Sequence, residues 1–187
     1  MLSQQPAADA LLDRDPLALV IGMVLDQQIP LEKAFSSPYV LTERLGHVPD
    51  AAEIAGIAED ELVAIFSTPP ALHRFPGSMA KRVQAMCAVV VDQYDNDVSN
   101  VWAQAADGPD LLKRVGALPG FGAQKAKIFV ALLGKQYGVD VPGWREAAGE
   151  FGPADTYKSV ADIRDAASLA KVRDHKKQLK AAAKAQA

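Results

Sequence analysis

The stretch "LPGFGAQKAKIFVALL", residues 118–133, places glycines at 120 and 122 directly ahead of a long apolar helix pattern. A helix ending near Gly116, the turn "LPGFG" and a new helix from about Ala123 read as two helices joined by a tight hairpin. Glycine at both positions removes the steric penalty for unusual backbone angles and lets another backbone come close. The first turn of the following helix has no internal partners for its N–H groups, so those from Gly120 to Lys125 are expected to point outward. With the helix dipole behind them they make an anion site suited to phosphate. The surroundings agree: Lys113, Arg114, Lys125, Lys127 and Lys135 fall between Leu111 and Lys135 without an acid. Ala126, Phe129, Val130 and Leu133 form an inward stripe, which leaves Gln124, Lys127 and Lys135 to face outward. A cradle of this kind grips phosphate without reading base sequence.

The pattern is helical nearly throughout, and no strand-like alternation exceeds a few residues. In "DPLALVIGMVLDQQIP", Asp15 is a good N-cap, Pro16 fits the first helical position, and Pro30 marks where the helix cannot continue. That helix is apolar nearly all round and is therefore expected to be buried. "SPYVLTERLG" repeats the grammar, with Ser37 as cap, Pro38 at the first position and Gly46 at the end. "DAAEIAGIAEDELVAIF" reads as two short helices or one interrupted helix, with Asp60 able to cap "ELVAIF". A Pro-rich connection precedes a strong helix from about Met79 to Tyr94, and two short helices lead into the hairpin. Beyond Gly138 the order is harder to read: a packed loop with one short helix, then a cap at Ser159 and a final helix. From Leu169 onward the chain carries six bases and one acid, Asp174. The stretch reads as a solvated helix end, or as an arm touching phosphate.

A chain of 187 residues, 49% apolar and 23% charged, is long enough for one substantial core. No stretch reaches the length of a membrane span and the N-terminus lacks a basic region followed by an apolar run, so a cytoplasmic protein is expected. The single cysteine, Cys87, sits in an apolar run and reads as a buried small hydrophobe. His47, His73 and His175 are far apart without helically spaced partners, so neither metal nor cofactor is expected. The net charge of −3 conceals an asymmetry. Residues 1–62 carry eleven acids against three bases and the rest twelve against seventeen, so a basic face is possible only in the second part.

Three segments together carry a family resemblance: "LPGFGAQKAKIFVALLG", "LVIGMVLDQQIPLEKAF" and "FPGSMAKRVQAMCAVVV". In this order, over roughly residues 15–140, they resemble the helix-hairpin-helix DNA glycosylase superfamily, the class with a Gly/Pro-rich loop followed by an aspartate. The resemblance implies an all-α, two-lobed fold in one unit over 1–187. Its hairpin spans 111–137, and 141–187 is an extension packing on the core with a basic end. It implies base excision repair on double-stranded DNA that contains a damaged or mismatched base, by a monomer that flips the base out and cleaves its N-glycosidic bond. Leu118, Gly120, Gly122, Ala123, Gln124, Lys125 and Lys127 are the expected DNA-binding residues of the hairpin, and Gln28 is expected to enter the gap left by the flipped base.

Two departures qualify what the resemblance implies. Some relatives carry a strand-cutting lysine where this chain has Gln124, and an amide cannot form a Schiff base, so a monofunctional enzyme is expected. The family aspartate lies roughly twenty residues beyond the second glycine, where this chain reads "VPGW". Asp140 is the nearest acid, Asp155 in "ADTY" is the alternative, and Glu146 and Glu150 are within reach. A non-catalytic hairpin module that has lost the carboxylate is the competing class. The iron-sulfur cluster of some relatives needs four cysteines and is excluded. Trp144 is expected to pack in the core or to stack on a base.

Overall fold

Residue 16 onward shows how closely local chemistry sets the first elements. In a computed structural model describing residues 2–185, helix α1 runs Pro6–Arg14 and α2 runs Pro16–Leu25. The Asp15 carboxylate accepts the Ala18 N–H at 2.9 Å, which satisfies one of the donors orphaned at the start of α2. Leu17 to Leu25 are all buried, as an all-round apolar helix requires. Helix α2 packs against α1, against α3 (Leu31–Leu45) and against α6 (Pro76–Gln93), so its C-terminal end emerges between elements from distant parts of the chain.

Helix α3 corrects the expected start at Ser37. It begins seven residues earlier than Pro38 and runs through that proline, which denies Ala34 O its usual partner. Burial overrides the local penalty here. Ser36, Ser37 and Pro38 are all buried, and Ser37 Oγ lies 2.7 Å from Lys33 O and 2.8 Å from Leu72 O, tying the helix to the loop beneath it. The next segment forms two short helices, α4 (Ala51–Gly56) and α5 (Glu59–Ser67), both packed on α6. Asp50 caps α4 through the Glu53 N–H, whereas Asp60 lies inside α5 rather than capping it. Glu59, Asp60 and Glu61 together place negative charge in the first turn of α5, where the dipole favours it.

The second half is organised around α9 (Ala123–Gln136), which packs on α8 (Gly108–Gly116) and on the short α10 (Trp144–Ala147); a single turn, α7 (Asn100–Ala103), precedes α8. The expected stripe of α9 is buried, and Phe129 is fully enclosed with Trp102 and Phe121 rings at 6.1 and 5.5 Å. Trp144 belongs to the core: it lies so close over α9 that a Cβ on Gly134 would sit 2.4 Å from its ring. Lys135 corrects its expected outward orientation. Its amine is buried 2.6 Å from the equally buried Asp162 carboxylate.

That pair explains a further difference. Ser159 caps a 3-10 turn at Val160–Asp162, which folds Asp162 onto α9, and the final helix, α11, starts only at Ala166 and runs to Ala185. Asp165 then takes the cap role, accepting the Ser168 N–H at 2.7 Å. Cys87 is buried, and burial pushes its thiol up to about 12. Among the described residues there is no strand, and no helix is long and apolar enough to cross a membrane.

Candidate nucleic-acid interface

The hairpin between α8 and α9 is held from within and bare on its outer side. Leu118 and Phe121 are buried, and the Phe121 N–H closes the turn on Leu118 O at 3.1 Å. Gly120 adopts φ +97°, a left-handed angle that a larger residue would resist. A Cβ there would also meet Val24 at 3.0 Å, so the turn sits directly on the end of α2. Gly122 is different from what its spacing suggests. Its φ of −82° is ordinary and a Cβ would meet nothing within 4 Å, so neither conformation nor internal packing calls for glycine there. What its missing side chain leaves open is the approach from outside.

The first helical bond of α9 runs from the Ala126 N–H to Gly122 O at 2.9 Å. The N–H groups of Ala123, Gln124 and Lys125 therefore precede the first internal bond, and the helix has no side-chain cap. Gly122, Ala123, Gln124 and Lys127 are exposed around them. This is the geometry in which a helix start binds an oxyanion.

Lys125 does something other than reach outward. Its Nζ turns back to donate to Met23 O at 2.8 Å and lies 3.4 Å from Val24 O, so its charge sits on the carbonyl end of α2. Burial holds the amine below the usual lysine range, opposed by the nearby Asp26. The hairpin is thus clamped to the end of α2 by Gly120 and Lys125 together, and the segment that follows, Asp26–Gln27–Gln28, is brought beside the hairpin.

Each residue of that segment has a defined environment. Gln27 donates from Nε2 to Val24 O at 2.8 Å and accepts from Arg82 Nη1 at 3.2 Å; Arg82, from α6, also flanks Gly120. His73 is buried, with Nε2 2.9 Å from Gln27 O and Nδ1 accepting the Phe75 N–H at 3.0 Å, which fixes a neutral ring with its proton on Nε2. Burial depresses the His73 pKa. Gln28 is exposed and held at φ +56°, uncommon for a residue with a Cβ. Asp26 is half-buried at the end of α2, and among the described residues its carboxylate accepts no hydrogen bond. Burial raises its pKa, with Lys176 and Lys125 opposing that rise from beyond ion-pair distance and Glu32 adding to it.

Asp140 follows the end of α9 that is remote from the hairpin. It is exposed on the loop after α9, whose fourteen residues at about 1.5 Å each span about 20 Å from the hairpin to Gln136. Asp155 is exposed on the loop before the 160–162 turn and borders a cleft of about 220 Å³ with Thr156, Tyr157, Arg164 and Lys171. Glu150 is exposed and paired with Lys158. Asp26, Arg82 and His73 are not among the site residues expected from the sequence. A signal for Asp26 was present, since it is the first charge after an unbroken apolar helix, whereas Arg82 and His73 reach Gln27 only through tertiary folding.

A family model described as HhH-GPD superfamily base excision DNA repair protein matches residues 21–186. The chain belongs to this superfamily. The match includes the C-terminal segment as well as the hairpin, and it assigns this HhH-GPD protein to DNA repair and to DNA as its binding partner. No curated protein and no solved structure matches it.

Proposed function

We propose that this HhH-GPD protein is a monofunctional DNA N-glycosylase that removes a damaged base from duplex DNA, with Asp26 as its working carboxylate. The observation that carries the reading is the convergence at the end of α2: the open N-terminus of α9, the clamp through Lys125 and Gly120, strained Gln28 and unpartnered Asp26 all meet there. The N–H groups of Ala123 to Lys125 hold a phosphate, Lys127 adds charge beside them, and Gln28 fills the vacated stack. As the C–N bond to the base breaks, water adds to the sugar C1′ and gives its proton to Asp26, while the departing base nitrogen takes a proton from solvent. A carboxyl with a raised pKa suits that exchange better than an exposed one, which favours Asp26 over Asp140 or Asp155. Gln124 supplies no amine for a Schiff base, so the product is an abasic site and not a cut strand.

The test is a panel of duplex oligonucleotides, each carrying one damaged or mismatched base, incubated with the protein and then treated with alkali to reveal abasic sites. Turnover on one of them that Asp26→Asn abolishes, and that Asp140→Asn and Asp155→Asn leave intact, is the expected result. Turnover insensitive to Asp26→Asn removes that residue from the mechanism, and tight binding to the duplexes without turnover on any favours a non-catalytic hairpin module.

A further inference from the structure

We infer that the second half of α11 is a DNA-backbone arm that continues the phosphate contacts of the hairpin along the duplex; this rests on the DNA-binding reading above. Helix α11 begins as a packing element, with Ser168, Leu169 and Val172 buried against the body. At 100° per residue, Arg173, Lys176, Lys177, Lys180 and Lys184 fall within an arc of about 100° that begins beside Leu169 and runs away from Val172 and Ser168. The basic arc therefore flanks the buried stripe and continues along the helix past the point where burial ends. From Lys176 to Ala185 every residue is exposed.

The row starts beside the site. Lys176 lines a cleft with Glu32 and Arg173 and acts electrostatically on Asp26, while Arg173 is paired with Glu32. Among the described residues Lys176, Lys180 and Lys184 form no ion pair, and Lys177 stands 3.8 Å from Asp174 with both side chains exposed. Successive lysines of the row are about 6 Å apart along the axis. Favourable interaction with the helix dipole accounts for cations in the last turn only, and Lys176 and Lys177 lie about two turns or more before the helix end. A membrane surface is a poorer fit, because Leu179 is the one large apolar side chain in this exposed half. A polyanion whose charges repeat along a line is the fitting occupant, and DNA is the polyanion this family handles.

The experiment compares wild type with the full-length triple variant Lys177→Gln, Lys180→Gln, Lys184→Gln, using an undamaged duplex of about three helical turns across a salt series. Glutamine keeps the helix propensity close to that of lysine, and the three side chains are exposed, so melting should be unchanged. The slope of log affinity against log salt should become shallower by about 2 to 3, because each phosphate contact contributes about 0.9. An unchanged slope, with Gly122→Leu still weakening binding, overturns the arm and leaves the hairpin reading standing. Wild type that binds no duplex overturns both. Wild type that binds phosphatidylserine-containing vesicles as well as duplex, with the triple variant losing only the vesicles, also overturns the arm.

Discussion

At the C-terminal end of α9, Lys135 and Asp162 are each 2% exposed and hydrogen-bonded at 2.6 Å, whereas at its N-terminal end Lys125 turns its amine to two carbonyls and leaves Asp26 without a contact. The same helix thus carries one acid-base pair that is complete and one that is held open. Around Asp162 the remaining acceptor capacity is also used, by the Lys158 and Ser159 N–H groups and by Thr156 Oγ1. Around Asp26 burial raises the carboxyl pKa, and the neighbouring Gln28 backbone is strained. A saturated buried pair fixes where two elements meet. An acid denied a partner in a half-buried position retains free energy that a substrate can release, and such positions concentrate at working sites.

The largest expected effect is at the closed end. Asp162→Ala strands a buried ammonium and should lower unfolding free energy by about 3–5 kcal/mol, measured by urea denaturation. The double change Lys135→Met with Asp162→Asn, which keeps an acceptor for the Lys158 and Ser159 N–H groups, should recover much of that loss. If Asp162→Ala and the double variant are equally unstable, the pair is not what fixes the 160–162 turn to α9. The open end should respond with the opposite sign: Asp26→Asn removes a charge that burial disfavours, so it should leave the melting temperature unchanged or raise it. Its effect should appear in excision instead, as a loss of about 100-fold or more.

Next in size comes the contrast within the hairpin. Gly120→Val forces a side chain into φ +97° against Val24 and should cost about 2 kcal/mol or more of stability. Gly122→Leu meets no neighbour and should cost under about 1 kcal/mol, chiefly as a poorer helix cap, yet weaken duplex binding at every sequence tested. Binding that follows stability in both variants would dissolve the distinction between the anchored and the open glycine.

The difference between these two glycines marks how much the sequence could tell. The G-x-G spacing located the turn and the helix behind it, because both follow from local rules of capping and periodicity. It could not separate the roles of the glycines, since one is set by Val24, nearly a hundred residues earlier. Lys135 was misread for the same reason: its position on the helical wheel lies off the apolar stripe, and only the fold brings Asp162 over it. The start of α3 was misread because burial of Ser37 against Leu72 outweighs the local signal of Pro38. Helix content, the buried α2 and the hairpin were therefore legible, and the carboxylate beside the hairpin was not. Asp26 is adjacent in sequence to Gln27 and Gln28, but its proximity to Lys125 and Lys176 exists only in three dimensions.

The smallest effect separates the two ends by pH. His73 is buried and neutral, bonded through Nε2–H to Gln27 O, and its pKa in the folded chain lies below the ordinary 6.5. As pH falls below about 6.5 the unfolded chain takes up a proton at His73 that the folded chain resists, so stability decreases with acidification and is regained above that value. Asp26 works in the reverse sense: its raised pKa favours the folded state at low pH, and that contribution is lost as pH rises through its folded value. His73→Gln keeps a donor for Gln27 O but does not titrate. Melting temperatures at pH 8 and pH 4 should therefore drop less on acidification in His73→Gln than in wild type, while Asp26→Asn should make the drop larger. Equal drops in all three proteins would mean that neither group is held out of its ordinary protonation range, and the contrast between the closed and open ends of α9 would then rest on geometry alone.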